Sequence, residues 1–149
     1  MGSRYGLEIR AATVGDAPGM AELLAACGQP VLSRDLAERI EAMRREEGAS
    51  LVAVEWGPPS GLVVLNWYRT LHAAAPVAQI TTLLVGPGDR RRGVGRLLLK
   101  AAAQAARNAG CGSLHLLAEP DQPALSAFCA ANGFTHAGTR FDRPLRKSG

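Results

Sequence analysis

Two spacings of apolar residues alternate along this chain, one near two residues and one near three and a half. The switches between them divide it into strands and helices. Leu7 to Ala12 (L-E-I-R-A-A) alternates as a short strand with Leu7 and Ile9 on one face. Thr13-Val14-Gly15-Asp16 resembles a capping box with Asp in place of Glu, opening a helix to about Cys27 that Gly28-Gln29-Pro30 ends. A second helix is predicted from Ser33 to Glu47, with Leu36, Ile40 and Met43 inward and a solvated face of mixed charge. Ala49 to Trp56 and Leu62 to Leu71 read as antiparallel strands about the turn Gly57 to Gly61, and Val77 to Val85 returns as a third. A helix from Val94 to Ala109 then crosses over to the apolar strand Ser113 to Ala118. Strand–helix–strand at this spacing demands a right-handed crossover and parallel pairing. Pro120 to Ala131 is a short helix with Leu125 and Phe128 inward, closed by Asn132-Gly133, and Phe134 to Leu145 forms a last strand interrupted near Gly138. The order β-α-α-β-β-β-α-β-α-β implies an α/β (α+β) protein: a mixed, mostly antiparallel sheet with one parallel pair and helices on both faces. At 149 residues a single domain over 1–149 is the simplest organisation.

The chain is organised around Thr82 to Ala109, where the apolar strand runs through a Gly/Pro turn into three arginines and then a helix. Gly93 and Gly95 bracket Val94 where loop becomes helix, so the backbone can approach a ligand and aim several N–H groups outward. The first amides of a helix have no internal partner, and the macrodipole adds partial positive charge there. Arg90, Arg91, Arg92 and Arg96 surround the same point, which makes an anion site suited to phosphate or pyrophosphate. The P-loop pattern is excluded because no Gly-Lys-Ser/Thr occurs, and the Rossmann pattern because Leu98 stands where its third glycine belongs. A solvated basic turn or a nucleic-acid patch is the competing reading of R-R-R-G-V-G-R, but the cluster lacks interleaved aromatics.

Arg-x-x-Gly-x-Gly, at Arg90, Gly93 and Gly95, resembles the acetyl-CoA pyrophosphate loop of the GNAT superfamily of N-acetyltransferases. L-L-V-G-P precedes it, a long helix follows, and Phe128 to Phe134 (F-C-A-A-N-G-F) looks like the family's F-Y-x-x-x-G-F segment. The resemblance covers about Leu62 to Leu145. It implies that the parallel pair, Val77–Val85 and Ser113–Ala118, splays apart at its middle. Backbone groups left without a ladder partner there need another, and the amides of a pantetheine arm would meet Leu83, Leu84 and Val85. An N–H near Leu83 would polarise the thioester carbonyl. Cofactor binding is thus expected at Leu83, Leu84, Val85, Arg90, Arg91, Arg92, Gly93, Val94, Gly95, Arg96 and Phe128, with acetyl-CoA as cosubstrate and no metal.

The implied reaction is direct acetyl transfer to a primary amine, which must lose a proton (alkylamines titrate near ~10.4) before it attacks. Two departures from the family fall on this chemistry. The strand glutamate is here Thr81, a poor base, and the tyrosine that serves as acid is Cys129. His115 and Glu119 are alternative proton acceptors. Thr81, His115 and Cys129 are therefore the catalytic candidates, although each also reads as an ordinary strand or core residue. Placing two substrates side by side supplies much of the acceleration without any of them. Trp67 and Tyr68 are candidates for the acceptor site, and as strand neighbours they cannot both face it. One aromatic with a helix carboxylate such as Glu38 or Glu41 suits a cationic amine.

Composition narrows the class. Hydrophobic content of 47% and charged content of 20% are ordinary for a soluble globular protein, and aromatics at 5% leave an aliphatic core. A net charge of +4, much of it in the arginine loop and the tail Arg140 to Lys147, suits a phosphate ligand more than a long polyanion. Cys27, Cys111 and Cys129 have no metal spacing and read as free thiols in a reducing compartment. There is no apolar signal core, Gly6 stands where myristoylation wants Ser or Thr, and no apolar run is long enough to span a membrane. The expectation is a cytoplasmic enzyme with a small-molecule amine substrate, no nucleic-acid or membrane partner, and the homodimer common in the family as the oligomer to consider. A protein or peptide acetyltransferase and a non-catalytic acetyl-CoA sensor are the alternatives.

Overall fold

A computed structural model describes residues 6–90, 92–118 and 122–146. The chain divides into two compact units, Met1–Leu117 and Ala118–Gly149. The first holds a five-stranded sheet in the order β1 (Glu8–Ala11), β2 (Gly48–Val54), β3 (Gly61–Tyr68), β4 (Val77–Val85) and β5 (Ser113–Leu116). Every pairing is antiparallel except β4 with β5. This is the mixed, mostly antiparallel sheet expected from the sequence.

Helices α1 (Ala17–Ala26) and α2 (Ser33–Met43) cover one sheet face. Met20, Leu23, Leu24, Leu36 and Ile40 pack there with Val52, Leu62 and Val64. Helix α3 (Val94–Asn108) covers the other, burying Val94, Leu98, Leu99, Ala102 and Ala106. Gly61 shows how close that approach is. A Cβ at Gly61 would stand 2.7 Å from the Leu98 side chain and 2.9 Å from that of Val94. Residue 61 therefore has to be glycine for α3 to lie flat on the sheet.

The entry to α1 uses the predicted Asp16. A 3-10 turn, Val14–Asp16, comes first, and the Asp16 carboxylate accepts the Thr13 N–H at 2.8 Å. The same carboxylate takes two bonds from Arg10 on β1, each 2.8 Å. The Arg10 guanidinium, with the Thr13 amide, holds Asp16 down to about 2. Helix α2 ends at Met43, four residues short of expectation. Residues 44–47 are all charged and offer nothing to bury, and the Glu47 carbonyl already accepts the Trp67 N–H, so the sheet takes over the backbone there. The β2–β3 turn carries Trp56 in solvent, 82% exposed.

The second unit holds α4 (Pro123–Ala131). Asn132 closes it by donating its side-chain N–H to the Phe128 carbonyl at 2.8 Å. The expected last strand, Phe134 to Leu145, does not form: residues 134–146 have no strand, and Phe141 and Leu145 are about nine-tenths exposed. The stretch lacks strand alternation, carries Arg140, Asp142, Arg143 and Arg146, and has Pro144, which cannot donate to a ladder. Among the described residues no helix is long and apolar enough to cross a membrane.

Candidate active site

The edge of β4 that faces β5 is paired over only half its length. The register runs from Val77 opposite Ser113 to Ile80 opposite Leu116, and β5 stops there. From Thr81 to Val85, β4 continues with β3 on one side and no strand among the described residues on the other. This is the expected gap in the parallel pair. It leaves Leu83, Leu84 and Val85 as a strand edge running directly into the arginine loop.

A β-bulge marks the change. Val64 lies opposite Thr82 and Leu65 opposite Ile80, so Thr81 is the extra residue. Opposed residues share a face, and the bulge therefore turns β4 over. Ile80 and Leu83 both lie on the side of Val63 and Leu65, while Leu84 joins Leu62 and Val64 against α1 and α2. Thr81 is exposed and its hydroxyl reaches the Val64 carbonyl at 3.5 Å.

The loop after β4 is tied down at each step. Gly86 N–H donates to the Ser60 carbonyl at 2.9 Å, and Asp89 N–H closes the 3-10 turn Pro87–Asp89 on the Gly86 carbonyl at 2.9 Å. Arg90 Nε and the Cys27 thiol both donate to the Val85 carbonyl, at 3.3 and 3.7 Å. Arg92 makes two short ion pairs, 2.6 Å to Asp89 and 2.7 Å to Glu55 just after β2, and these hydrogen bonds hold its guanidinium charged still more firmly than usual. Arg91 lies outside the described residues.

Gly93 then takes φ 80° and ψ 10°, the left-handed conformation that side chains resist. A Cβ there would meet nothing within 4 Å, so the backbone turn and not crowding calls for glycine. Leu97 N–H is bonded to the Gly93 carbonyl at 3.1 Å. The amides of Val94, Gly95 and Arg96 precede that first helical bond and have no partner inside α3. Val94 is 1% exposed, so it contributes an amide while its side chain anchors the helix start in the core. Arg90 and Arg96 are exposed around this point. Unpaired amides, the positive end of the 15-residue helix and two exposed arginines fit a diphosphate.

Three polar residues meet across β3, β4 and β5. Tyr68 hydroxyl donates to Gln79 Oε1 at 3.2 Å, and Gln79 lies opposite His115, whose Nε2 is 3.4 Å from Ser113 Oγ. All lie on the face opposite α3, and Tyr68 and His115 are exposed. Trp67 points to the other face, opposite Ala78, and is half-buried. Gln79 was not a sequence candidate, since only the register reveals that it joins two that were. Glu41 is engaged by Arg44 and Arg45. Cys129 and Phe128 belong to α4, in the second unit, where burial pushes the Cys129 thiol above its usual range. Glu119 lies outside the described residues. Among those described, no three His, Cys, Asp or Glu residues are grouped to hold a metal ion.

Comparison with known proteins bears on this geometry. A mycothiol acetyltransferase from Cellulomonas flavigena is 46% identical over 73 residues, which are 49% of this chain and 21% of that protein. The chain thus spans about a fifth of the length of the curated relative it matches. A candidate acetyltransferase from Agrobacterium tumefaciens str. C58 superposes with a TM-score of 0.82 at 29% identity, covering 93% of this chain and 99% of that one. An aminoglycoside N-acetyltransferase in complex with CoA gives a TM-score of 0.81 at 20% identity, covering 98% of each. The model of the acetyltransferase (GNAT) family matches residues 17–134, from the start of α1 through α4 to Phe134, and the chain belongs to that family.

Proposed function

We propose that the chain moves the acetyl group of acetyl-CoA directly to a primary amine of a small molecule. The observation that carries this reading is the continuity of the open edge of β4, Thr81–Val85, with the glycine corner and unpaired amides that begin α3. Acetyl-CoA would supply the acetyl thioester. Leu83, Leu84 and Val85 offer it a backbone edge, Val85 through its N–H because its carbonyl already accepts from Arg90 and Cys27. Val94, Gly95 and Arg96 offer amides to its diphosphate, with Arg90, Arg91 and Arg96 adding charge. The match to part of a mycothiol acetyltransferase supports a small acceptor.

The acceptor is assigned to the row Tyr68, Gln79 and His115, with His115 as proton acceptor. Of the two aromatics, Tyr68 is the better placed, because Trp67 faces α3. Cys129 is assigned the acid's role. Burial pushes its thiol above the ordinary range, which favours the protonated form that a donor to a departing thiolate must have. Thr81 and Cys129 in place of the family's glutamate and tyrosine favour a second reading, an acetyl-CoA-binding sensor without turnover.

CoA release across an amine panel, followed with a thiol reagent, separates the two. Steady release with a primary amine supports the enzyme, whereas tight acetyl-CoA binding with no turnover on any amine supports the sensor. Cys129→Ala should lower turnover by roughly tenfold. In the parent, turnover should fall as pH rises through a thiol pKa above the ordinary range, and this alkaline limb should vanish in the variant. An identical pH profile would remove Cys129 from the chemistry.

A further inference from the structure

The Arg92 clasp is built from residues far apart in sequence and lies at the corner that the proposed acetyl-CoA site depends on. Glu55 directly follows β2, Asp89 closes the 3-10 turn, and Arg92 precedes Gly93. One guanidinium nitrogen serves each carboxylate, at 2.7 and 2.6 Å, with Glu55 17% and Asp89 29% exposed at the side chain. Room for it is fixed too, because a Cβ on Gly86 would stand 3.2 Å from Asp89 Oδ2.

We infer that Glu55 and Asp89 are positioning residues that use Arg92 to hold the Gly93 corner, so that Arg92 is a strut and not a ligand of the CoA diphosphate. This rests on the acetyl-CoA reading proposed above. Charge and geometry make opposite demands here. Two carboxylates and one guanidinium carry one net negative charge, which repels a diphosphate. If charge decided, removing Glu55 would tighten binding. If geometry decides, it weakens binding, because a loose corner scatters the α3 amides. Geometry prevails on this structure. The repulsion acts through solvent with a Debye length of about 8 Å, while aligned amides act at hydrogen-bond distance on a charged group. Two of the five guanidinium N–H donors are committed to these carboxylates, whose charge also offsets that of Arg92 toward a phosphate.

The test is CoA titration by calorimetry with the full chain, its Glu55→Gln, Asp89→Asn and Arg92→Ala variants, and the Glu55→Gln/Arg92→Ala double variant. Each single change should weaken CoA by roughly three- to tenfold. The double variant should be no weaker than Arg92→Ala, since both break one clasp. In turnover, KM for acetyl-CoA should rise in step while kcat at saturation stays within about twofold. Equal or tighter CoA binding by Glu55→Gln, or additive losses in the double variant, overturns the inference and makes Arg92 a phosphate ligand. Asp89→Asn gives the same readout if Glu55→Gln fails to fold. Failure of the parent chain to bind CoA would overturn the acetyl-CoA reading as well, which the variant arms alone do not.

Discussion

The two halves of β4 share one strand and serve opposite ends. From Val77 to Ile80 it has a partner on each side, and Ala78 and Ile80 are at most 2% exposed. From Thr81 to Val85 it has β3 alone, and no residue is fully buried. In the first half, side-chain volume decides what is tolerated. In the second, the proposed cofactor contacts use backbone groups, and side chains need only hold the edge in place. The bulge at Thr81 separates them, letting one strand anchor in the α3 core at Ile80 and in the α1–α2 core at Leu84.

The sharpest way to break this contrast is to empty the first half. Ile80→Ala should cost about 2–5 kcal/mol of folding stability, read by denaturant unfolding, with KM for acetyl-CoA nearly unchanged below the transition. A comparable loss of cofactor affinity would show that the halves are coupled. The converse probe is Gly93→Val. It should weaken CoA by roughly a hundredfold, since a β-branched residue strains the left-handed corner and shifts the α3 amides. Its stability loss should be smaller, about 1–3 kcal/mol.

The smallest effect tests the cover over the second half. Asp16 steadies the entry to α1, whose end places Cys27 on the Val85 carbonyl. Its carboxyl is lowered to about 2 from 3.8, so its contribution is full above about pH 4 and fades as pH falls toward 2. Asp16→Asn should be about 1 kcal/mol less stable at pH 7, allowing for partial solvent screening, and the gap to the parent should close by pH 2. A gap that persists unchanged in acid would mean the ion pair with Arg10 is not its source.

The contrast also explains what could be read from the chain in advance. Val77 and Val85 bound β4 as expected, because turn residues flank an apolar run on both sides. The bulge inside it was hidden: Thr81-Thr82-Leu83-Leu84 does not alternate, so no step in the pattern marks the reversal of faces. The glycine corner was legible because φ near 80° selects glycine whatever the fold. The Arg92 clasp was not, since Glu55 is 37 residues away and reaches it only through the sheet. The same limit hid Gln79 between Tyr68 and His115. The expected last strand, Phe134 to Leu145, has only scattered apolar residues, and Phe141 and Leu145 both stay in solvent.

Trp56 stands in water one residue beyond Glu55, at the tip of the β2–β3 turn. Nature has thereby put an indole beside the strut, and the other tryptophan, Trp67, is half-buried in the sheet. If the corner binds a diphosphate as proposed, a change in Trp56 emission on adding CoA to an unlabelled sample is the expected sign of it, readable without any acceptor in hand.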